Sequence, residues 1–409
     1  MSRWWPLLLA VATIATQAPG WRSPDYDDDW RHRHKMDQVI RGETTLPQFL
    51  FARHNEHLLP LWKAWAYVTY RTWGRHPLPW HMAISLAHFV GTVALVIVLR
   101  LTMGMLHAVT AGFLWAGAAL GNFDAPHVWV AASHATFGVT FWLVASAAAT
   151  GFASRVWPLA LLGVTAAWMA ALGSMVALVV LTPALLFQLW RFEFPRIARA
   201  PFRKACFLIA VLLPASAGIF AQVVAPPDVE DAHRNAPRSA SVAAAGTGLV
   251  FLASLGNMVL PPSVMLGTSQ DHAWHALVAA PRVAWIGAVA AVAMIAVVWR
   301  RRREWKAQRS MIVWAFLAAV PWTVLACYSS SDDTPLQLAS HGRYRLPATL
   351  FWAVAVSSLP AALPPRVLAV LGVGYLALQA VCTEAAVRQI TVMHEANYPT
   401  AASVFGFKD

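Results

Sequence analysis

Long apolar runs free of charge recur along the whole chain, and charged residues fall almost entirely between them. This pattern leaves few folds open. A helix of about 20 apolar residues crosses a bilayer core of ~30 Å. In lipid, the backbone must satisfy its own hydrogen bonds, so only helices or closed barrels can cross. The runs are too long for barrel strands and do not alternate. Of 409 residues, 58% are hydrophobic and 12% are charged, against roughly a quarter charged in a soluble domain. The chain therefore reads as an all-α polytopic membrane protein, one integral-membrane domain over 1–409 with about 11 transmembrane helices. The net charge of +12 sits in loops between spans, where basic residues fix orientation, and it does not imply nucleic acid. The 21 Trp residues fit interfacial belts or a substrate cleft. Cys206, Cys327 and Cys382 lie in or beside apolar runs and read as small buried hydrophobes.

Loop charges set the direction of each span. With Arg3 in the cytoplasm, the run from Trp4 to about Ala18 exits as a retained first span, a cleaved signal peptide being the alternative for so short a run. Residues 21–81 then form a long extracytoplasmic loop, and 82–100 return to Arg100. Residues 106–121 go out and 129–150 come back to Arg155. As one helix, the uncharged stretch between Arg155 and Arg191 would run to roughly 50 Å, too long for one crossing. It is expected to be a hairpin of two short spans turning near Gly173 and Ser174. Arg191 to Lys204 form a cytoplasmic loop, and 205–225 exit. Residues 283–299 return, because Arg300 to Arg303 read as cytoplasmic. The piece 226–282 thus starts and ends outside, and its apolar stretch 243–266 is expected to be re-entrant or packed on the outer face, with two extra spans as the alternative that keeps the same parity. Residues 310–327, 347–362 and 367–383 complete the spans, leaving 384–409 as an extracytoplasmic tail. In this layout every Asp and Glu except Glu193 and Glu304 falls outside. Acid–base or metal chemistry is therefore expected on the outer face.

Four outer constellations could carry such chemistry. Asp27, Asp28 and Asp29 follow directly on the first span. Crowded carboxylates repel, so one of them is suited to deprotonate a nucleophile, or a pair to hold a divalent cation; a solvated turn capping the next helix is the plainer reading. His54, Glu56 and His57 come next. On a helix, His54 and His57 would share a face. The spacing is not that of a His-Glu-x-x-His metalloprotease. Binding a phosphate or sugar fits these groups better than zinc, and an interfacial helix start fits them as well. The segment 58–73 is amphipathic and Trp-rich, as a helix lying on the bilayer surface would be. Asp124 and His127 occupy a short loop between two spans, and a plain turn would use them equally. Arg343, Tyr344 and Arg345 open a late span. Two arginines there can pair bidentately with a phosphate or pyrophosphate, snorkel to headgroups, or pair with Asp332 and Asp333.

Three passages resemble the GT-C superfamily of polyprenyl-phosphate-sugar-dependent glycosyltransferases, which includes the protein O-mannosyltransferase and lipid A aminoarabinose transferase types. They are Asp27-Asp28-Asp29-Trp30 after the first span, the segment Pro79-Trp80-His81 running to His88 and Phe89, and Arg343-Tyr344-Arg345-Leu346-Pro347. The likeness covers 1–130 and 320–365. It implies that Asp27, Asp28 or Asp29 is the general base on the acceptor, and that Arg343 and Arg345 hold the lipid phosphate. It implies a polyprenyl-phosphate-linked sugar as donor, in contact with membrane lipids; the divalent cation stays an option of the crowded aspartates alone. It places the protein in the bacterial inner membrane with its active site facing the periplasm. The alternatives are a lipid-linked-sugar flippase or transporter, which should place ionisable groups near the midplane, and a non-catalytic relative. The spans hold little charge, with His88 and His134 the main polar exceptions.

Overall fold

The computed structural model describes residues 4–25, 28–54, 57–118, 130–171, 175–197, 200–224, 239–259, 272–300, 308–329, 342–358 and 365–405. Apart from one pair of two-residue strands, the elements described are helical. The first helix, α1 (Trp5–Gln17), runs into a 3-10 turn, Ala18–Arg22. The first loop then folds into a small layer of its own. It comprises α2 (Asp28–Ile40), α3 (Leu46–Phe51), the antiparallel strands β1 (Arg53–His54) and β2 (His57–Leu58), and α4 (Pro60–Trp73). The bundle consists of α5 (Pro77–Met103), α6 (Met105–Ala116), α7 (His134–Ala149), α8 (Trp157–Ala170), α9 (Met175–Gln188), α10 (Pro201–Val224), α11 (Ala240–Val259), α12 (His272–Arg300), α13 (Arg309–Ser329), α14 (Gly342–Ser357) and α15 (Pro365–Phe405).

Local chemistry sets many of the ends. Proline stands in the first turn of α1, α3, α4, α5 and α8. Its fixed φ suits a helix start, and its missing N–H costs nothing there. Thr45 and Gln48 cap α3 reciprocally. Gly74 (φ 59°) and Gly104 (φ 79°) close α4 and α5 in a backbone region that other residues avoid.

Five described helices are long and apolar enough to cross a membrane: α5, α10, α11, α13 and α15. Shorter apolar helices stand beside them, Met105–Ala116 and Trp157–Ala170 among these. The stretch between Arg155 and Arg191 is split into α8 and α9, as its length requires; the expected turn at Gly173 and Ser174 lies outside the described residues. Within 226–282 the chain carries α11, 20 residues long and of span length. This helix packs along α12, α13 and α14.

The main core joins α5, α6, α7, α9, α13 and α14. At its centre the indoles of Trp142 and Trp314 stack at 4.7 Å, tying α7 to α13. Between α11 and α12 the backbones themselves meet. A Cβ placed on Gly256 would lie 1.9 Å from the carbonyl oxygen of Val283, and one on Gly287 would lie 1.8 Å from that of Leu252. Only glycine permits so close a crossing. A second, smaller core of Met36, Phe49, Leu59, Trp62, Ala66, Trp80, Ile84 and Val130 lies beneath the first-loop layer. Burying each large side chain there stabilises the layer by roughly 1.5–3 kcal/mol, so it is seated on α5 and the approach to α7 rather than hanging in solvent.

Candidate functional site

The site grows from α2. Asp29, His32, Arg33 and Met36 are spaced i, i+3, i+4, i+7, which puts them on one helical face. All four are buried, so three of the four positions that dock this helix are polar. Each polar group has a partner. The Asp29 carboxylate accepts a hydrogen bond from the backbone N–H of Ala131 at 2.7 Å. Ala131 opens the 3-10 turn Ala131–Ser133 that leads into α7. The carboxylate thus sits at the positive end of a helical segment, the place where an anion is stabilised. The His32 ring meets the Trp62 indole edge-on at 4.8 Å, and that indole donates to Ser133 Oγ at 2.9 Å. Asp29, His32, Trp62 and the start of α7 therefore form one buried junction.

Arg33 is the second anchor. Its guanidinium pairs with Asp25, donates to the Gly74 carbonyl at 3.3 Å, and lies over the rings of Trp80 (5.1 Å) and Tyr70 (5.6 Å). A buried arginine needs such a set of partners, because an uncompensated charge there would cost several kcal/mol. Tyr70 donates to Asp37 at 2.8 Å. Burial raises the Tyr70 pKa, and the Asp37 hydrogen bond and charge raise it further, so this hydroxyl stays a donor. His81, in the first turns of α5, bonds the Ser23 carbonyl at 3.2 Å. Trp21 donates to Ser85 at 2.9 Å. The chain leaving α1 is in this way pinned to α5 at two points ahead of the acidic cluster.

The sequence-derived candidates divide as follows. Asp29 is placed in the junction just described. Asp28 begins α2, but its side chain lies outside the described residues, as does all of Asp27. Asp124 and His127 lie outside them too, and so does Glu56. His54 and His57, which on a helix would share a face, stand directly opposite each other in the β1–β2 pair. Ala52, the residue after α3, is already extended (φ −68°, ψ 144°), so the chain leaves the helix there and enters the strand pair before Pro60 starts α4. Their side chains, like those of Arg343 and Tyr344, are outside the described residues. Arg345 is described and fully buried in the first turn of α14. That helix packs against α6 and α7, whereas Asp29 reaches the 3-10 turn that precedes α7. His88 is an interior histidine, bonded to the Trp115 carbonyl at 3.1 Å with its ring 4.3 Å from that indole. His134 bonds the Ala131 carbonyl at 2.9 Å. Among the described residues, no group of three or more His, Cys, Asp or Glu is placed to hold a metal ion.

Sequence reasoning missed Arg33, Tyr70, Arg75, His394 and Tyr398. Arg33 carried a signal, the i, i+4 spacing to Asp29 on a helix. The last two carried none, because nothing in the sequence of α15 says which surface its outer half meets.

No model of a known protein family matches the chain, and no curated protein matches it. Among solved structures it is similar to ArnT from Cupriavidus metallidurans bound to undecaprenyl phosphate, at 14% identity and a TM-score of 0.44, over 98% of this chain and 76% of that one. It is similar to the same protein in the apo state, at 14% identity and a TM-score of 0.45 over the same shares. A similarity of this size carries no argument about activity, and the reading of the chain rests on its own residues: a polytopic helical membrane protein with a folded polar layer on one end of the bundle.

Proposed function

We propose that the chain is a membrane glycosyltransferase that moves a sugar from a polyprenyl-phosphate donor to an extracytoplasmic acceptor. A carboxylate of Asp27, Asp28 or Asp29 takes the proton from the acceptor hydroxyl. Arg345 with Arg343 stabilises the charge that develops on the departing phosphate. The observation that carries this reading is the polar layer itself. An acidic segment is folded onto the end of an apolar bundle, anchored by Asp29 at the start of α7 and by the Asp25–Arg33 pair. The same bundle holds a buried guanidinium, Arg345, at the start of α14.

Within this reading the three carboxylates divide their work. Asp29 is committed to the Ala131 amide and orients the segment. That leaves the base on Asp27 or Asp28, the neighbours that Asp29 positions. Transfer by such a site needs only proton acceptance at a carboxylate and charge neutralisation at the phosphate. The chemistry happens at the headgroup level, where the sugar–phosphate bond of a lipid-linked donor lies.

The test is transfer from a radiolabelled polyprenyl-phosphate sugar by membranes carrying Asp27→Asn, Asp28→Asn or Asp29→Asn, with expression matched by immunoblot. Loss of a general base costs typically about 10²- to 10⁴-fold in rate, and one of the first two variants is expected to fall that far. Unchanged turnover in all three would end the proposal. Persistent counterflow of the lipid-linked sugar in proteoliposomes with all three replaced would point to a transporter instead.

A further inference from the structure

The outer half of α15 closes over the first loop. Glu384 forms an ion pair with Arg22, at the end of the 3-10 turn after α1, and a second one at 3.2 Å with Arg388, one turn along its own helix. Further on, His394 donates from Nδ1 to the Asp25 carbonyl at 2.7 Å. Its ring stacks on Tyr398 (4.9 Å, 18°) and lies 5.9 Å from Trp30. The Tyr398 hydroxyl accepts from Arg75 at 3.1 Å, and its ring lies 6.3 Å from Trp30.

These contacts bracket the acidic cluster. One side chain of α15, His394, bonds the backbone carbonyl of Asp25, two residues before the cluster, and sets its ring near Trp30, the residue after it. Asp25 is then fixed at both ends: its carbonyl is held by His394 and its carboxylate by Arg33. Apolar packing would be satisfied by Trp30 and Tyr398 alone. The directional N–H to a backbone carbonyl adds what packing lacks, a fixed orientation of the backbone at Asp25. A group that accepts a proton must be placed to within about half an ångström, and a 1 Å error costs on the order of 10²-fold in rate.

We propose that His394 is a positioning residue that sets the backbone of the acidic segment through Asp25, so that the carboxylates after it meet the acceptor. The proposal rests on the glycosyl-transfer reading above, and two measurements separate their fates. The variants are His394→Asn, whose amide N–H stands near where Nδ1 was; His394→Gln, which carries its amide one bond too far; and His394→Phe, which keeps the ring stack and loses the donor.

The first measurement needs no activity. Ser23 is buried two residues before Asp25, and Ser23→Cys places a thiol there of nearly the same size. Labelling of that thiol by a membrane-impermeant maleimide on sealed spheroplasts reports whether the segment is held, with the chain lacking Ser23→Cys as the blank. The second is transfer kinetics. The expected result is fast labelling and a fall in kcat of about 10- to 100-fold in the Gln and Phe variants. The donor KM should change less than about twofold, since the donor is held elsewhere, and the Asn variant should restore both readouts. Slow labelling in every variant overturns the proposal, because the segment is then held without His394. Fast labelling with unchanged kcat overturns it too, because the contact then serves packing only. A wild-type protein that transfers no sugar overturns the glycosyl-transfer reading itself, and the positioning role with it.

Discussion

Asp29 and Glu193 show how differently two buried carboxylates can be held. Asp29 faces a helix start and accepts an N–H at 2.7 Å, so its charge is stabilised by an oriented dipole; such a capping bond is worth about 1 kcal/mol. Glu193 lies beyond the end of α9, in a π-helical turn (Leu189–Glu193), and is buried with Arg196 as its ion-pair partner at 3.3 Å among the described residues. Burial pushes its pKa up to about 7, and the charge and hydrogen bond of Arg196 offset only part of that. The folded state therefore binds this proton more tightly than the unfolded chain does. The stability it contributes is complete below the ordinary value of 4.5 and is lost as pH rises to about 7. In detergent, the wild-type Tm should fall across that interval relative to Glu193→Gln, by an amount equivalent to up to about 3 kcal/mol. Parallel pH profiles for the two proteins would refute this account of Glu193.

At the scale of elements, the crossing of α11 and α12 is the least forgiving contact. The neighbour of Gly256 is backbone, the Val283 carbonyl, which cannot rotate away. Gly256→Ala must therefore push the two helices apart, and it also disturbs the packing of α11 on α13 and α14. A loss of at least about 2 kcal/mol is expected, as for other overpacked cores, seen as a lower Tm with little change for Gly248→Ala, where an added Cβ meets open space. Equal Tm values for both would contradict the close crossing. Elements were legible in the sequence where a one-dimensional rule governs them. The uncharged stretch from Arg155 to Arg191 had to fold back because of its length, and α4 announced itself by its amphipathic, Trp-rich pattern. The hairpin at His54 and His57 was not legible, since residue spacing alone fits either a helix face or a facing pair. The docking face of α2 was hidden for another reason. It is polar, and a search for apolar periodicity passes over Asp29, His32 and Arg33.

For the whole molecule, the layout separates a polar layer from an apolar bundle. That layer comprises α2, α3, the hairpin and α4 below the outer half of α15. Loop charge carries an expected orientation, with the basic loops towards the cytoplasm and the polar layer outward. In sealed spheroplasts an impermeant maleimide should label a cysteine at Thr72, exposed on α4, and spare one at Ser154, exposed after α7. The reverse pattern would invert the protein and place the acidic segment in the cytosol. Long-range pairing of this kind escapes sequence reading, because the bond between His394 and Asp25 joins positions 369 residues apart. Local composition holds no trace of it.

That separation also governs biogenesis. The first loop emerges from the ribosome early, while its clasp is still untranslated. Through most of synthesis Trp30 and Asp25 wait without His394 and Tyr398, and the loop closes only after the intervening helices have inserted. Closure over so large a chain separation is entropically slow. The outer face is therefore completed last, and a half-made chain carries its acidic segment unclasped.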